Sequence, residues 1–231
     1  MKCLVKNESA VGLTLKDTEK PSPNDNEILI KVKKAAICGT DLHIWNWDSW
    51  AQEKIKPPMT VGHEFMGVIE EVGKKIKNFK IGDRVSVESH ITGTKSRNAR
   101  AGKLHLDPDT VNLGVDTDGA FAEYVKVPES NVVPLPDSVS DEVGAILDPF
   151  GNAVHATLSF DLVGEDVLIT GAGPIGIMSA AIAEHVGARR ILLTDVNDHR
   201  LELAKKVCSA ELSVSYTHLR AHETREDRVC R

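Results

Sequence analysis

A glycine-rich hexapeptide between two apolar runs limits the architectures open to this chain. Asp166-Val-Leu-Ile-Thr has strand character, and Gly171-Ala-Gly-Pro-Ile-Gly follows it without a gap. Pro174 to Val186 is alanine-rich and suits a helix, with Gly187 at its stop. Arg190-Ile-Leu-Leu-Thr is a second apolar run ending at Asp195, and Asp198 to Val207 reads as another helix. Strand, glycine turn, helix and strand form the start of a doubly wound parallel sheet. Out of context, three glycines at this spacing amount to a flexible turn. Here each has a physical task. Gly171 permits the tight turn, Gly173 lets backbone approach a pyrophosphate, and Gly176 lets helix and strand pack closely. The unpaired N–H groups of the helix start attract phosphate. Asp195, nineteen residues beyond Gly176, is placed to accept hydrogen bonds from a ribose. Its charge repels a 2′-phosphate, which favours NAD over NADP.

Residues 1–130 read differently, as β-rich. Ile28, Ile30 and Val32 alternate with polar residues, the period of a half-buried strand. Met66 to Gly73, Gly82 to Glu88 and Phe121 to Val127 are further strands with glycine and proline between them, which suggests a small barrel or sandwich. Ile91 to Asp118 is polar and without periodicity and is expected to be a long surface loop. Ser140 is positioned to cap a helix, with Asp141 and Glu142 in its first turn.

Composition narrows the function classes. Lys+Arg 28 against Asp+Glu 34 gives a net charge of −6, which argues against a nucleic-acid or anionic-membrane binder. No apolar run approaches the ~20 residues needed to span a bilayer, and the start shows no apolar targeting segment. Cys3, Cys38, Cys208 and Cys230 form no CxxC pair, so neither a disulfide framework nor a cysteine-rich zinc ribbon is expected. A reduced, cytoplasmic setting is expected.

Cys38, in Ala-Ile-Cys-Gly-Thr-Asp-Leu-His, and His63 and Glu64, in Val-Gly-His-Glu-Phe, are individually unremarkable. A free cysteine is usually a small buried hydrophobe. Beside a dinucleotide motif, however, a thiolate, an imidazole and a carboxylate are the ligand types of an open catalytic zinc site. Asp148, in Leu-Asp-Pro-Phe-Gly-Asn-Ala, is a fourth acidic candidate.

These segments, with Lys80-Ile-Gly-Asp-Arg-Val, Phe121-Ala-Glu-Tyr and Asp148-Pro-Phe-Gly-Asn-Ala-Val-His, resemble the zinc-dependent medium-chain alcohol dehydrogenases from residue 1 to about 212. Trp45-Asn-Trp-Asp and the Asp148 segment point to the threonine-oxidising branch of that family. The resemblance implies an α/β fold with a β-rich N-terminal part: a GroES-like catalytic domain plus an incomplete Rossmann domain. The expected spans are 1–155 for the catalytic zinc domain and 156–212 for the first part of the NAD-binding domain. It implies one catalytic Zn2+ held by Cys38, His63 and Glu64, with Asp148 at a further acidic ligand position. It also implies a proton relay through Thr40 and His43 beside Cys38. The cofactor set is Gly171, Gly173, Pro174, Ile175, Gly176, Asp195 and Arg200, with NAD as cofactor. The implied reaction oxidises L-threonine to L-2-amino-3-oxobutanoate. The implied partner is therefore a small molecule, with no nucleic acid or membrane, and full-length relatives are homo-oligomers. His90 is a candidate on the substrate side, and Trp45, Trp47 and Trp50 are candidates either for the pocket wall or for packing. Other readings are a sorbitol or 2,3-butanediol dehydrogenase, a zinc-free quinone reductase on the same fold, or an inactive fragment.

The sequence departs from the family twice. Many relatives carry four cysteines for a structural zinc where this chain has Gly93, Ser96, Ala99 and Asp107, so that second site is expected to be absent. The segment 213–231 has no strand period, no apolar face and no family likeness, and is expected to be a disordered or artefactual tail. A metal reading of His218, His222 and Glu223 within it is not favoured. Only two strands of the parallel sheet are expected, leaving helix faces without partners.

Overall fold

The structure is a computed structural model and describes residues 1–214. The chain opens on a hairpin, β1 (Lys2–Lys6) and β2 (Thr14–Asp17), before the long strand β3 (Glu27–Ala36). Two short helices follow, α1 (Gly39–Asn46) and α2 (Ser49–Lys54), then β4 (Met59–Thr60), β5 (Glu64–Val72), β6 (Arg84–Val87) and β7 (His90–Ile91). A lobe contains α3 (Arg97–Arg100), a single 3-10 turn and β8 (Val111–Asn112), and leads into β9 (Tyr124–Pro128) and β10 (Val132–Pro134). Helices α4 (Asp141–Ala145) and α5 (Leu147–Thr157) precede β11 (Asp166–Thr170), α6 (Pro174–His185), β12 (Arg190–Thr194), α7 (Asp198–Ala204) and β13 (Glu211–Ser213). The chain divides into two units, Met1–Asp148 and Pro149–Arg231.

In the first unit, an antiparallel five-stranded sheet runs β10-β6-β5-β3-β9, beside a three-stranded β2-β1-β4 sheet and the β7-β8 pair. Alternation along the strands buries Ile28, Ile30, Phe65, Ile69, Val85, Val125 and Val127 in one core. A smaller core of Ile44, Ala51, Ile55, Met59 and Val61 seats α1 and α2. Lys6 is fully buried beside it. Its ammonium donates to the carbonyls of Ala10, Gly12 (3.2 Å) and Trp45 (3.5 Å) and lies 4.8 Å from the Trp47 ring centre. The Trp45 carbonyl, in the last turn of α1, thus gains a cation, as a helix C-terminus prefers. Ser140 caps α4 by accepting the Val143 N–H at 3.3 Å, as its position in the sequence implies.

The stretch 91–118 is more structured than its polar composition suggests. Leu113 is 1% exposed, and its N–H donates to the Ser89 carbonyl at 3.0 Å. Asp107 is buried as well. One buried apolar residue leaves no periodicity to read, because the segment is ordered by polar contacts.

In the second unit, β11, β12 and β13 pair in parallel in that order. The expected pair of strands is therefore three among the described residues. Three residues are too few to carry a strand period; β13 pairs along β12 with Glu211 opposite Leu192, and Arg190 holds the Glu211 carboxylate through two hydrogen bonds at 3.1 and 3.0 Å. Ser213 closes this strand, and its carbonyl accepts the Asp195 N–H at 3.2 Å. The helices find partners: Ile177, Ala180 and Ala183 pack with Ile191, Leu193, Leu201 and Ala204. Residues 215–231, with His218, His222 and Glu223, lie outside the described residues. No helix among the described residues is long and apolar enough to cross a membrane.

Candidate metal and nucleotide sites

The pairing of β3 with β5 assembles the first site. Ala36 stands opposite Glu64, so Cys38, two residues beyond β3, meets His63 and Glu64 at the start of β5. Donor atoms of Cys38, His63 and Glu64 all lie within 4.8 Å of one another, although 25 residues separate Cys38 from His63. His63 and Glu64 are buried and Cys38 is half-buried. Cys38 also begins α1, where its N–H donates to Asp41 Oδ2 at 2.8 Å.

Asp41 is not among the ligands or supports that the sequence suggests. It is 3% exposed, and its second oxygen, Oδ1, faces His63 Nδ1 at 3.7 Å. Neither of these two buried atoms has a hydrogen-bond partner. An imidazole that gives one nitrogen to a metal keeps its proton on the other, which then needs a carboxylate or carbonyl. Asp41 is placed for that task and holds the Cys38 backbone at the same time. The signal is present in Cys38-Gly-Thr-Asp41, but no local rule reveals that Asp41 turns toward His63.

The electrostatics suit a divalent cation. Burial pushes the Asp41 carboxyl up, against the Cys38 and Gly62 N–H groups and His63. Burial likewise pushes Glu64 up, with the nearby Asp148 charge adding to the effect. Burial disfavours the His63 imidazolium, but Cys38, Asp41 and Asp148 more than offset it and raise His63. The charges of Cys38, Asp41 and Asp148 on His63, and of Asp148 on Glu64, make a negative local field, which a bound cation neutralises. The donor set and the orphaned pair therefore fit a zinc ion at Cys38, His63 and Glu64.

Asp148 joins a second group instead. Its carboxylate lies with Glu88 and His90, again within 4.8 Å, and accepts the Ser89 hydroxyl at 2.9 Å. His90 is held by Glu88 through Nδ1 at 2.6 Å, and Glu88 together with Asp148 raises its pKa against the effect of burial. Thr40 and His43 both lie on α1. Thr40 Oγ1 is 3.7 Å from Cys38 Sγ, and His43 Nδ1 pairs with the Asp48 carboxylate. Trp45 and Trp50 are exposed at 47% and 36%, while Trp47 packs against the α1–α2 core.

The four lobe positions do not fit a four-cysteine zinc site. Gly93 and Ala99 offer no side-chain donor, and the Ser96 hydroxyl caps α3 by accepting the Ala99 N–H at 3.0 Å. Asp107 acts as a hub: its carboxylate accepts the Gly93 N–H at 2.5 Å. The Ser96 side chain, with the Gly93 and Asp109 N–H groups, holds the Asp107 carboxyl below the usual carboxylate range.

In the second unit, the glycine turn runs from the end of β11 into α6. Gly171 has φ +103°, and a Cβ on Gly176 would lie 1.9 Å from the Gly171 carbonyl oxygen. Gly173 caps α6, with Pro174 in its first turn, and Ile175 is 44% exposed. Asp195 ends β12 and reaches back to the glycine turn, accepting the Ala172 N–H at Oδ2 and the Asn197 N–H at Oδ1, each at 2.8 Å. Arg200 lies 3.4 Å from the same carboxylate. The Asn197 and Ala172 N–H groups and Arg200 keep the Asp195 carboxyl low and ionised.

Residues 24–137 match the alcohol dehydrogenase GroES-like domain. The chain is thus similar to the zinc-containing medium-chain alcohol dehydrogenases, with a GroES-like unit followed by Rossmann-type βα units. It is 58% identical, over 207 residues, to the L-threonine 3-dehydrogenase of Rhizobium etli (strain CIAT 652), covering 90% of this chain and 60% of that protein. The chain thus spans less than two thirds of the length of the curated relatives it matches. A structure of a short chain alcohol dehydrogenase (rspB) from E. coli CFT073, complexed with cofactor NADH, superposes with a TM-score of 0.85 at 32% identity, covering 92% of this chain and 62% of the other. The 2R,3R-butanediol dehydrogenase of Bacillus subtilis has a TM-score of 0.79 at 29% identity, covering 92% and 62%.

Proposed function

We propose that this chain carries the catalytic zinc segment and the first part of the NAD-binding segment of a threonine-oxidising dehydrogenase. The division is residues 1–155 and 156–212. The reaction takes hydrogen from the side-chain carbinol of L-threonine, as hydride to NAD and as a proton to solvent, leaving L-2-amino-3-oxobutanoate. The observation that carries this reading is the meeting of Cys38, His63 and Glu64 in a chain so similar to a threonine enzyme. Bound at these residues, zinc supplies Lewis acidity that lowers the pKa of an alcohol, and NAD supplies the hydride acceptor. The chain's own residues do the rest. Asp41 orients His63, and Asp148 adds negative charge beside the donors. The Thr40 hydroxyl, at the edge of the donor cluster, accepts the alcohol proton and passes it along α1 to His43. Gly173 and the first turn of α6 receive the pyrophosphate, with Pro174 and Ile175 beside it. Asp195 takes the ribose hydroxyls, with Arg200 alongside. One zinc per chain suffices, because Asp107 does in the lobe what a second metal does in relatives. Free Cys3, Cys38 and Cys208 suit a reducing cytoplasm.

Steady-state rates on L-threonine, sorbitol and 2,3-butanediol, each with NAD and with NADP, test the reading. Threonine with NAD should be the best pair, and metal analysis should return one zinc per chain. Higher kcat/KM on a diol or polyol would move the assignment to another branch of the family.

A further inference from the structure

We propose that Asp48 is a positioning residue for the proton outlet, holding His43 with its proton on Nδ1 so that Nε2 is the atom that receives the departing proton. The proposal rests on the reading of Thr40 and His43 as the relay. Three observations converge on it. Trp47, at φ 54°, ends α1 in the left-handed region and folds the chain back, so that Asp48 returns against His43 in the last turn of the helix. The Asp48 carboxylate is fixed from its other side, because Oδ1 accepts the Ala51 N–H at 3.1 Å as the cap of α2. Oδ2 is thereby left for His43 Nδ1. The Trp50 ring stands 5.9 Å from the imidazole, tilted by 57°, and limits its swing.

A carboxylate on one ring nitrogen sets the tautomer and makes the other nitrogen a better base. The His43 and Asp48 side chains are 57% and 38% exposed, so a proton reaching Nε2 is one step from water. His43 also holds the Asp48 carboxyl below its usual range, so the partner stays ionised. Proton balance is simple: Nε2 gains one proton from the relay and releases it to solvent, with no change at Asp48.

Asp48→Asn tests this, since asparagine caps a helix as well as aspartate does and preserves α2. The ring-nitrogen NMR signals of the zinc-loaded protein report the tautomer, with the His43 signals identified by their loss in His43→Gln. In Asp48→Asn these signals should lose the signature of a proton held on Nδ1. On threonine kcat should drop roughly ten-fold, while KM and zinc content should hold. The double variant should be no slower than His43→Gln alone, because Asp48 acts only through His43. Unchanged His43 ring-nitrogen signals, or a wild-type kcat in Asp48→Asn, overturn the proposal. Absence of threonine turnover in the unsubstituted protein overturns the functional reading itself, and the outlet with it.

Discussion

Asp41 meets two of the proposed zinc ligands, Cys38 and His63, with one carboxylate, and the consequence is measurable. Asp41→Asn keeps the shape but removes the charge that faces His63 and weakens the grip on the Cys38 N–H. Losing such an outer-shell carboxylate costs about 10–100-fold in metal affinity, so competition with a chromogenic chelator should show zinc leaving at correspondingly lower chelator concentration. Asp195 also has two roles. Its carboxylate ties the Ala172 N–H of the glycine turn, and by proposal it repels a 2′-phosphate. Asp195→Ala should therefore narrow the preference for NAD over NADP roughly ten-fold or more and also loosen the turn. The ratio of kcat/KM for the two cofactors checks the first effect, and hydrogen exchange at Ala172 the second. The residue types at Cys38, His63, Glu64 and Asp195 are legible as chemistry in the amino-acid sequence. The roles of Asp41 and Asp48 are not, because an aspartate in a polar stretch is ordinarily solvated, and only the fold shows what each one faces.

Elements with their own period are legible almost residue for residue. β11, β12 and α6 have apolar runs, and Ile28, Ile30 and Val32 alternate in β3, although Leu29 between them is buried as well, so local physics announces these elements. β13 and the lobe around α3 have no period. Each is tied to a distant residue by a polar contact, Arg190 with Glu211 in one case and Asp107 with Gly93 in the other, and β13 also packs Leu212 against the second core. The lobe gives a prediction with a definite sign. The Asp107 carboxyl is held below its ordinary value, so its contribution to lobe order is complete above the ordinary carboxylate pKa of about 4. That contribution is lost as pH falls through the lower folded value. Limited proteolysis between residues 93 and 110 should therefore be slow at neutral pH and accelerate only in strong acid. Asp107→Asn should be cut faster at neutral pH and show little further response to acid. Chelator should not change cutting in either protein, and chelator-induced cleavage would restore a metal to the lobe.

Across the described residues, the proposed metal donors and the glycine turn rest on different cores. One is built from Ile28, Phe65, Val85 and their neighbours, the other from Ile177, Leu193 and Leu201. Hydrogen exchange should record the division: zinc should protect residues 38–64, and NAD should protect the turn at 171–176 and Asp195. Protection of the glycine turn by zinc alone would contradict it. The amino-acid sequence by itself determined the strand periods, the helix stops, the glycine turn and the types of atom available to a metal and a nucleotide, because these are properties of neighbouring residues. The tertiary structure alone decided which donors meet. Pairing Ala36 with Glu64 brings Cys38 to His63, and the approach of α5 to the chain after β6 sets Asp148 beside Glu88 and His90. Register is a nonlocal choice, and a slip of one residue would turn every side chain on β5 to the opposite face.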